Sequence, residues 1–424
     1  MLDIKFIREN LDLVNKSIKQ RGLKLDLEEL LRLDQLRRDT LVALEDFRRE
    51  KNVANDEISR LLKEKKDAKK KIQTMKSTSL KIDELEGKLK DCQGKMNQLL
   101  LLIPNIPHSS VPIGNASANK VVRSWGELRK FDFPGLAHTD LASALDIIDF
   151  SRAAKITGSN FALYKGWGAR LERALINFML DLHTQKHGYT EIFPPFLVNR
   201  RAMTGTGQLP KLEEDMYRLK DEDYFLVPTA EVPLTNIFAG EILQEEDLPV
   251  YYTAYTACFR REAGSYGKET KGLVRVHQFD KVELVKFVKP QDSYTELEGL
   301  VANAEKVLQL LDLPYRVVAL SSEDLSFAAS KCYDLEAYAP VMDTWLEVSS
   351  CSNFESFQVR RANIRYRSKD RKVDYPHTLN GSGVALARTM ICILENYQQK
   401  DGSIIIPEVL RPYLNGESTI TKPE

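Results

Sequence analysis

No proline or glycine occurs from residue 24 to residue 73. Over that span Leu33, Leu36, Thr40, Leu44, Phe47, Lys51, Ala54, Ile58 and Leu61 recur at steps of three or four. Such spacing places one apolar stripe on a continuous helix. A second tract follows, with Ile82, Leu85, Leu89, Cys92, Met96, Leu99 and Ile103 stepping alternately by three and four, a heptad seam. Two seams joined by a short link read as an antiparallel helical hairpin, a coiled coil with arms roughly 50 Å long. The polar run Ser77, Thr78, Ser79 is the expected link. A shorter helical lead covers residues 1–21, where Ile4, Ile7, Leu11 and Val14 share a face. Pro104 and Pro107 stop the second arm. They divide the chain into 1–103 and 104–424, with the boundary at about 104–115.

The remaining residues mix patterns. Helical periodicity runs over 168–187 and 295–311, and strand patterns over 224–227 and 281–288. A helix over 384–397 is entered through Gly381, Ser382 and Gly383. Without regular strand–helix alternation, the fold class is α+β.

Lysine plus arginine and aspartate plus glutamate both number 61, so the net charge is zero. The balance is uneven: residues 1–103 carry 24 basic and 19 acidic side chains. Seven of those cations fall within 60–71, a local polyanion contact or simply a well-solvated helix end. No apolar run is long enough to span a membrane, and the charged N-terminus is no secretory signal. Five cysteines without a CxxC pair fit a reducing cytoplasm.

Phosphate-binding GxxxxGK[ST] and GxGxxG motifs are absent. Ser382 does not fit a nucleophile elbow. His183 and His187 lack the glutamate of a zinc-protease helix and read as surface histidines. The informative segment is 258–283, CFRREAGSYGKETKGLVRVHQFDKVE. It reads as two strands around a loop bearing Gly264, Gly267, Lys268, Lys271 and Gly272. Arg260, Arg275 and the loop lysines gather the fixed cations a polyphosphate needs. Phe279 offers a flat face to a base and Glu262 an acceptor to an exocyclic amine. A solvated hairpin laced with salt bridges has the same composition.

That segment resembles motif 2 of the class II aminoacyl-tRNA synthetases, in the form used by the seryl-tRNA synthetase family. GYTEIFPPFLVNRRAMTGTGQLPK at 188–211 resembles motif 1, with Pro195 as the motif proline, and VPTAEVPLTN at 227–236 the amino-acid loop. TWLEVSSCSNFESFQVRRANIRYR at 344–367 resembles the ATP strand and HTLNGSGVALARTM at 377–390 motif 3. The resemblance spans the chain and implies a helical arm before a core with an antiparallel sheet flanked by helices.

It also implies an activity: L-serine and ATP form seryl-adenylate and pyrophosphate, and serine then passes to the terminal adenosine of tRNA(Ser), with tRNA(Sec) a further candidate. The catalytic residues would be Arg260, between serine carboxylate and α-phosphate, and Arg388. Nucleotide contacts would come from Arg260, Arg261, Glu262, Arg275, Val276, Phe279, Glu347, Val348, Ser349, Ser350 and Arg388, although strand alternation turns Arg261 away from Arg260. Thr229, Ala230, Glu231, Arg260, Glu283 and Ser382 would hold serine, with Glu283 and Ser382 at its hydroxyl. Glu347 and Ser350 would hold Mg2+. Arg48, Arg49, Lys51, Lys65, Lys66, Lys69, Lys70 and Lys71 would face the tRNA. The enzyme would be a cytoplasmic homodimer. A ligase charging a protein carrier would lack the long basic hairpin; an inactive relative would lack Arg260, Glu262, Glu347 or Arg388.

Overall fold

A computed structural model describes residues 1–262 and 271–422. Packing separates two units: 2–19 with 23–104, and the rest of the chain. In the first unit, helices α1 (Ile4–Glu9) and α2 (Leu11–Gln20) precede the long helices α3 (Glu28–Lys63) and α4 (Lys69–Leu100). Leu30, Leu33, Leu44 and Ile58 of α3 are buried with Ile82, Cys92, Met96 and Leu100 of α4. Arg48 crosses to Glu86 at 2.6 Å. Asp34 is fully buried and meets Arg8, Arg37 and Arg38 at 2.6, 2.8 and 3.2 Å. Burial pushes its carboxyl up, but hydrogen bonds from Arg37 and Arg8 outweigh that and hold it below the usual range.

The link between the arms is not at Ser77, Thr78 and Ser79, which lie inside α4. It spans 64–68. There Lys65 takes a left-handed conformation (φ 53°) and Lys66 N–H donates to the Leu61 carbonyl at 2.8 Å. Glycine usually fills such a position, so a lysine there concealed the turn. Asp67 then accepts from Lys69 N–H and starts α4. The basic cluster therefore forms the turn itself.

The second unit is built on an eight-stranded sheet. Its strands are β1 (Lys120–Trp125), β2 (Thr190–Glu191), β3 (Val250–Phe259), β4 (Gln278–Val288), β5 (Tyr315–Ala319), β6 (Lys331–Ala339), β7 (Thr344–Glu355) and β8 (His377–Ala385). The spatial order is β1-β5-β6-β7-β8-β4-β3-β2. Every pairing is antiparallel except β2 with β3. Helices α5 (His138–Ala144), α6 (Trp167–Lys186), α7 (Ser293–Leu310) and α8 (Leu386–Tyr397) share with the sheet one apolar core that includes Leu175, Met179, Leu284, Leu300, Leu335, Cys351 and Met390. Strand alternation sends the intervening side chains to the open face.

Residues 381–383 are not a loop before a helix, as the glycines suggest. They belong to β8, which runs directly into α8. Both glycines face the helices. A Cβ on Gly381 would lie 2.8 Å from Cys351 Sγ, and one on Gly383 would lie 2.6 Å from His183 Nε2. Ser382, between them, faces the open side. His183 is likewise no surface residue: it is fully buried and donates from Nε2 to the Gly383 carbonyl at 2.9 Å. Its Nδ1 then accepts from His187 Nδ1 at 2.9 Å. Burial lowers the His183 pKa to about 4, so the imidazole stays neutral and pins α6 to β8.

Candidate active site

The open face carries a cavity of about 580 Å³. One end is polar and enclosed. Thr229 and Glu231 reach it from the loop after Leu226 and the short helix Glu231–Thr235. Lys281 arrives from β4 and Asn380 and Ser382 from β8, each two residues from a neighbour on the same face. Glu231 accepts from Gln358 Nε2 at 2.6 Å, and Gln358 accepts in turn from Thr378 Oγ1 at 2.8 Å. Burial, reinforced by the nearby Glu283 charge, pushes the Glu231 carboxyl up to about 7.

Glu283, expected at the serine hydroxyl, has no solvent exposure and does not line the cavity. Its Oε2 accepts from Thr229 Oγ1 at 3.0 Å and pairs with Lys281, while Asn380 Nδ2 donates to Oε1 at 2.6 Å. It is a hub joining three side chains of the wall. Ala230 is also fully buried, packed with Leu234 and Val285 rather than facing the cavity.

The other end is cationic. Arg260 Nε donates to the Pro228 carbonyl at 3.3 Å, and its guanidinium lies 5.3 Å from the Phe279 ring centroid. His277 braces it: Arg260 N–H donates to the His277 carbonyl, and His277 Nδ1 donates back to the Arg260 carbonyl. Arg275 pairs with Glu262 at 3.1 Å. Arg388 faces the Glu347 carboxylate at 3.4 Å and donates to the Glu347 and Val274 carbonyls. A β-bulge between Glu347 and Ser349 inserts Val348 into β7. Bulges re-aim side chains, and here Glu347, Val348, Ser349 and Ser350 all line the cavity. Ser349 Oγ donates to the Ser382 carbonyl at 2.6 Å, tying the two ends together.

Arg261 points elsewhere, though not through strand alternation: β3 ends at Phe259, and the Arg261 N–H donates to the Asp215 carbonyl at 2.9 Å. It is exposed, in a separate small depression with Glu213, Glu214 and Tyr217. Gly264, Gly267 and Lys268 lie outside the described residues. Cys258 and Cys351 are completely buried; burial raises both thiols, Cys351 to about 12, so neither is a nucleophile.

For a metal, the cavity offers Glu347 and the Ser350 hydroxyl, with half-buried Asp334 opposite Ser350 on β6. These are hard oxygen donors of the kind Mg2+ takes. Among the described residues no three His, Cys, Asp or Glu side chains form a complete metal cage. Sequence reading missed Lys281, Asn380 and Gln358. Lys281 and Asn380 were within reach, since each stands two residues from a named site residue on one strand. Gln358 had no local signal.

An antiparallel sheet whose open face joins a buried carboxylate to clustered arginines is the core of a class II aminoacyl-tRNA synthetase. Residues 214–397 match the model of the tRNA synthetase class II core domain (G, H, P, S and T), and residues 1–107 that of the seryl-tRNA synthetase N-terminal domain. The chain is 56% identical over 424 residues, all of both chains, to a serine–tRNA ligase of Trichlorobacter lovleyi. It is 58% identical to that of Caldanaerobacter subterraneus, with 98% of each chain covered. Among solved structures, seryl-tRNA synthetase from Pyrococcus horikoshii complexed with ATP matches with a TM-score of 0.93 at 38% identity, covering 100% of both chains. A cytoplasmic serine–tRNA ligase from Naegleria fowleri in complex with AMP matches with a TM-score of 0.88 at 28% identity, covering 100% of this chain and 99% of that one. The chain belongs to the seryl-tRNA synthetase family.

Proposed function

We propose that the protein is a serine–tRNA ligase that forms seryl-adenylate from L-serine and ATP and then charges tRNA(Ser). The observation that carries this reading is the single cavity with a buried carboxylate, Glu231, at one end and Arg260, Glu262, Phe279 and Arg388 at the other. Glu231 and Thr229 suit the ammonium group of the amino acid. Ser382, which lines this end, meets the serine hydroxyl, and Glu283 acts from behind the wall by holding Thr229, Lys281 and Asn380 in place. Arg260, from the cationic end, is the group on which the serine carboxylate and the α-phosphate meet. Attack on phosphorus gathers negative charge, and the preorganised guanidinium stabilises it. Phe279 and Glu262 take the adenine, and Arg275 and Arg388 the outer phosphates. Glu347 and Ser350 would hold Mg2+, which would supply further charge neutralisation.

In this reading the arm holds tRNA through its exposed cations, and the chain works in the cytoplasm. The exposed apolar side chains Phe193 and Leu197, in the stretch around Pro195, form the surface on which two copies pair. Among the described residues no helix is long and apolar enough to cross a membrane. The test is ATP–pyrophosphate exchange run with each amino acid separately. Serine alone should support it strongly; exchange driven by another amino acid would replace the reading.

A pH dependence follows from Glu231. Its raised pKa means the free enzyme carries it protonated below about 7, and only the carboxylate attracts the ammonium. The kcat/KM for serine should therefore fall about tenfold from pH 8 to pH 6, since that ratio reports the free enzyme. The ATP KM should stay level, and Glu231→Gln should flatten the slope. A wild-type serine profile flat over this range would remove Glu231 from the ammonium site.

A further inference from the structure

Residues 273–276 form one wall of the nucleotide end, yet β4 begins only at Gln278. This wall has no strand ladder to fix its backbone. Leu273 is buried, so its N–H needs a partner inside the protein. It donates to His138 Nε2 at 3.3 Å. A ring nitrogen that accepts must be unprotonated, which puts the imidazole hydrogen on Nδ1. Nδ1 faces Glu395 Oε1 at 3.5 Å, an electrostatic contact rather than a hydrogen bond. Glu395 is fully buried; it accepts from Val341 N–H and Met342 N–H at 3.0 and 3.2 Å, and from His138 N–H at 3.2 Å. Its carboxylate is therefore held from several sides.

Two further observations converge on the same wall. Glu395 and Arg388 stand seven residues apart on α8, close to two turns, so they share a helix face. Arg388 donates to the Val274 carbonyl at 3.2 Å. One helix thus holds consecutive residues of the wall, Val274 directly and Leu273 through His138. Gly272, just before them, has φ 70°, and a Cβ there would lie 2.2 Å from His138 Nε2. The backbone passes against the imidazole at a distance only glycine allows.

We propose that His138, oriented by Glu395, is a positioning residue that sets the wall 273–276 of the nucleotide pocket relative to Arg388. The proposal rests on the adenylate-forming reading above and adds a residue outside the cavity to it. A wall displaced by about 1 Å can cost roughly 10²-fold, and the loss should fall on ATP, because Thr229, Glu231 and Ser382 stand on other elements.

Two variants separate the hydrogen bond to Leu273 from the contact with Glu395. In His138→Gln the amide oxygen has the reach of Nε2 and can still accept from Leu273. In His138→Asn the amide can face Glu395 but cannot reach Leu273. Pyrophosphate exchange is measured on the full chain with ATP and serine varied in turn, and active sites are counted from the adenylate formed in the first turnover. His138→Asn should raise the ATP KM roughly 10- to 100-fold and leave the serine KM within about twofold, while His138→Gln stays near wild type. Equal behaviour of the two variants would overturn the proposal. So would unchanged KM values with activity falling in step with the active-site count, the signature of packing alone. If neither variant folds, Gly272→Ala, whose methyl displaces the imidazole, should raise the ATP KM in the same way; an unchanged ATP KM there would also overturn it. Serine-dependent exchange by the wild type tests the underlying reading separately.

Discussion

Replacing Arg260 with alanine should lower the rate of seryl-adenylate formation by roughly 10²- to 10³-fold, the range for losing one preorganised electrostatic group at a reacting centre. Other cations lining the cavity already face carboxylates: Arg275 faces Glu262, Lys281 faces Glu283 and Arg388 faces Glu347. Among the described residues, Arg260 has no such pair. It is held by a backbone carbonyl and the Phe279 face, so its charge is available to a substrate anion. Charge that develops in the transition state should make the loss appear mainly in kcat. Arg260→Lys should recover only part of it, because an ammonium cannot make the paired contacts of a guanidinium. Single-turnover formation of adenylate measures this directly. A loss smaller than about fivefold would place the bridging cation elsewhere.

Removing the arm should separate the two half-reactions. With residues 30–100 deleted and the ends joined, serine-dependent exchange should survive and tRNA charging should fall on the order of 10³-fold. Six to ten phosphate contacts change affinity by roughly 10³-fold or more between low and moderate salt, and the arm carries the exposed cations that would make such contacts. The cavity-lining residues all lie beyond Asn105, in the second unit. Loss of both activities from a folded deletion would show that the units are not modular. Neutral substitutions at the turn give the finer measurement. Lys65, Lys66, Lys69, Lys70 and Lys71 are all exposed. Lys66 already pairs with Glu64 and Lys71 with Glu57, which leaves Lys65, Lys69 and Lys70 without an ion pair among the described residues. Changing these three should reduce the slope of log affinity against log salt by up to about 0.9 for each phosphate that is no longer neutralised. An unchanged slope would mean that these lysines only solvate the turn, and would shift attention to Arg48, Arg49, Lys51 and Lys95.

Local chemistry made the arm legible. A heptad seam and a proline stop act over a few residues, and no distant partner was needed to read either helix. The cationic hairpin was legible for the same reason: Arg260, Glu262, Arg275 and Phe279 stand close together in the chain, while Arg261 turns aside beyond the end of β3. The turn at 64–68 was hidden because a lysine occupies the left-handed position where glycine is the usual signal. The glycines at 381 and 383 misled in the opposite sense. They look like loop residues, but they are strand positions where Cys351 and His183 approach the backbone too closely for any Cβ.

Only the tertiary structure decided how the polar end of the cavity is organised. Glu283 carries the same carboxylate wherever it lies. Its role as a buried hub depends on Thr229, 54 residues away, and Asn380, 97 residues away, arriving with Lys281 around it. Gln358 and His138 likewise gain their roles only when the sheet and α8 bring distant segments together. Periodicity and turn chemistry are properties of neighbours in sequence, so the chain by itself determined the helices, the strands and most of the cation set. Burial, hydrogen-bond saturation and the perturbed Glu231 carboxyl depend on neighbours in space, and those exist only once the sheet has closed around the cavity.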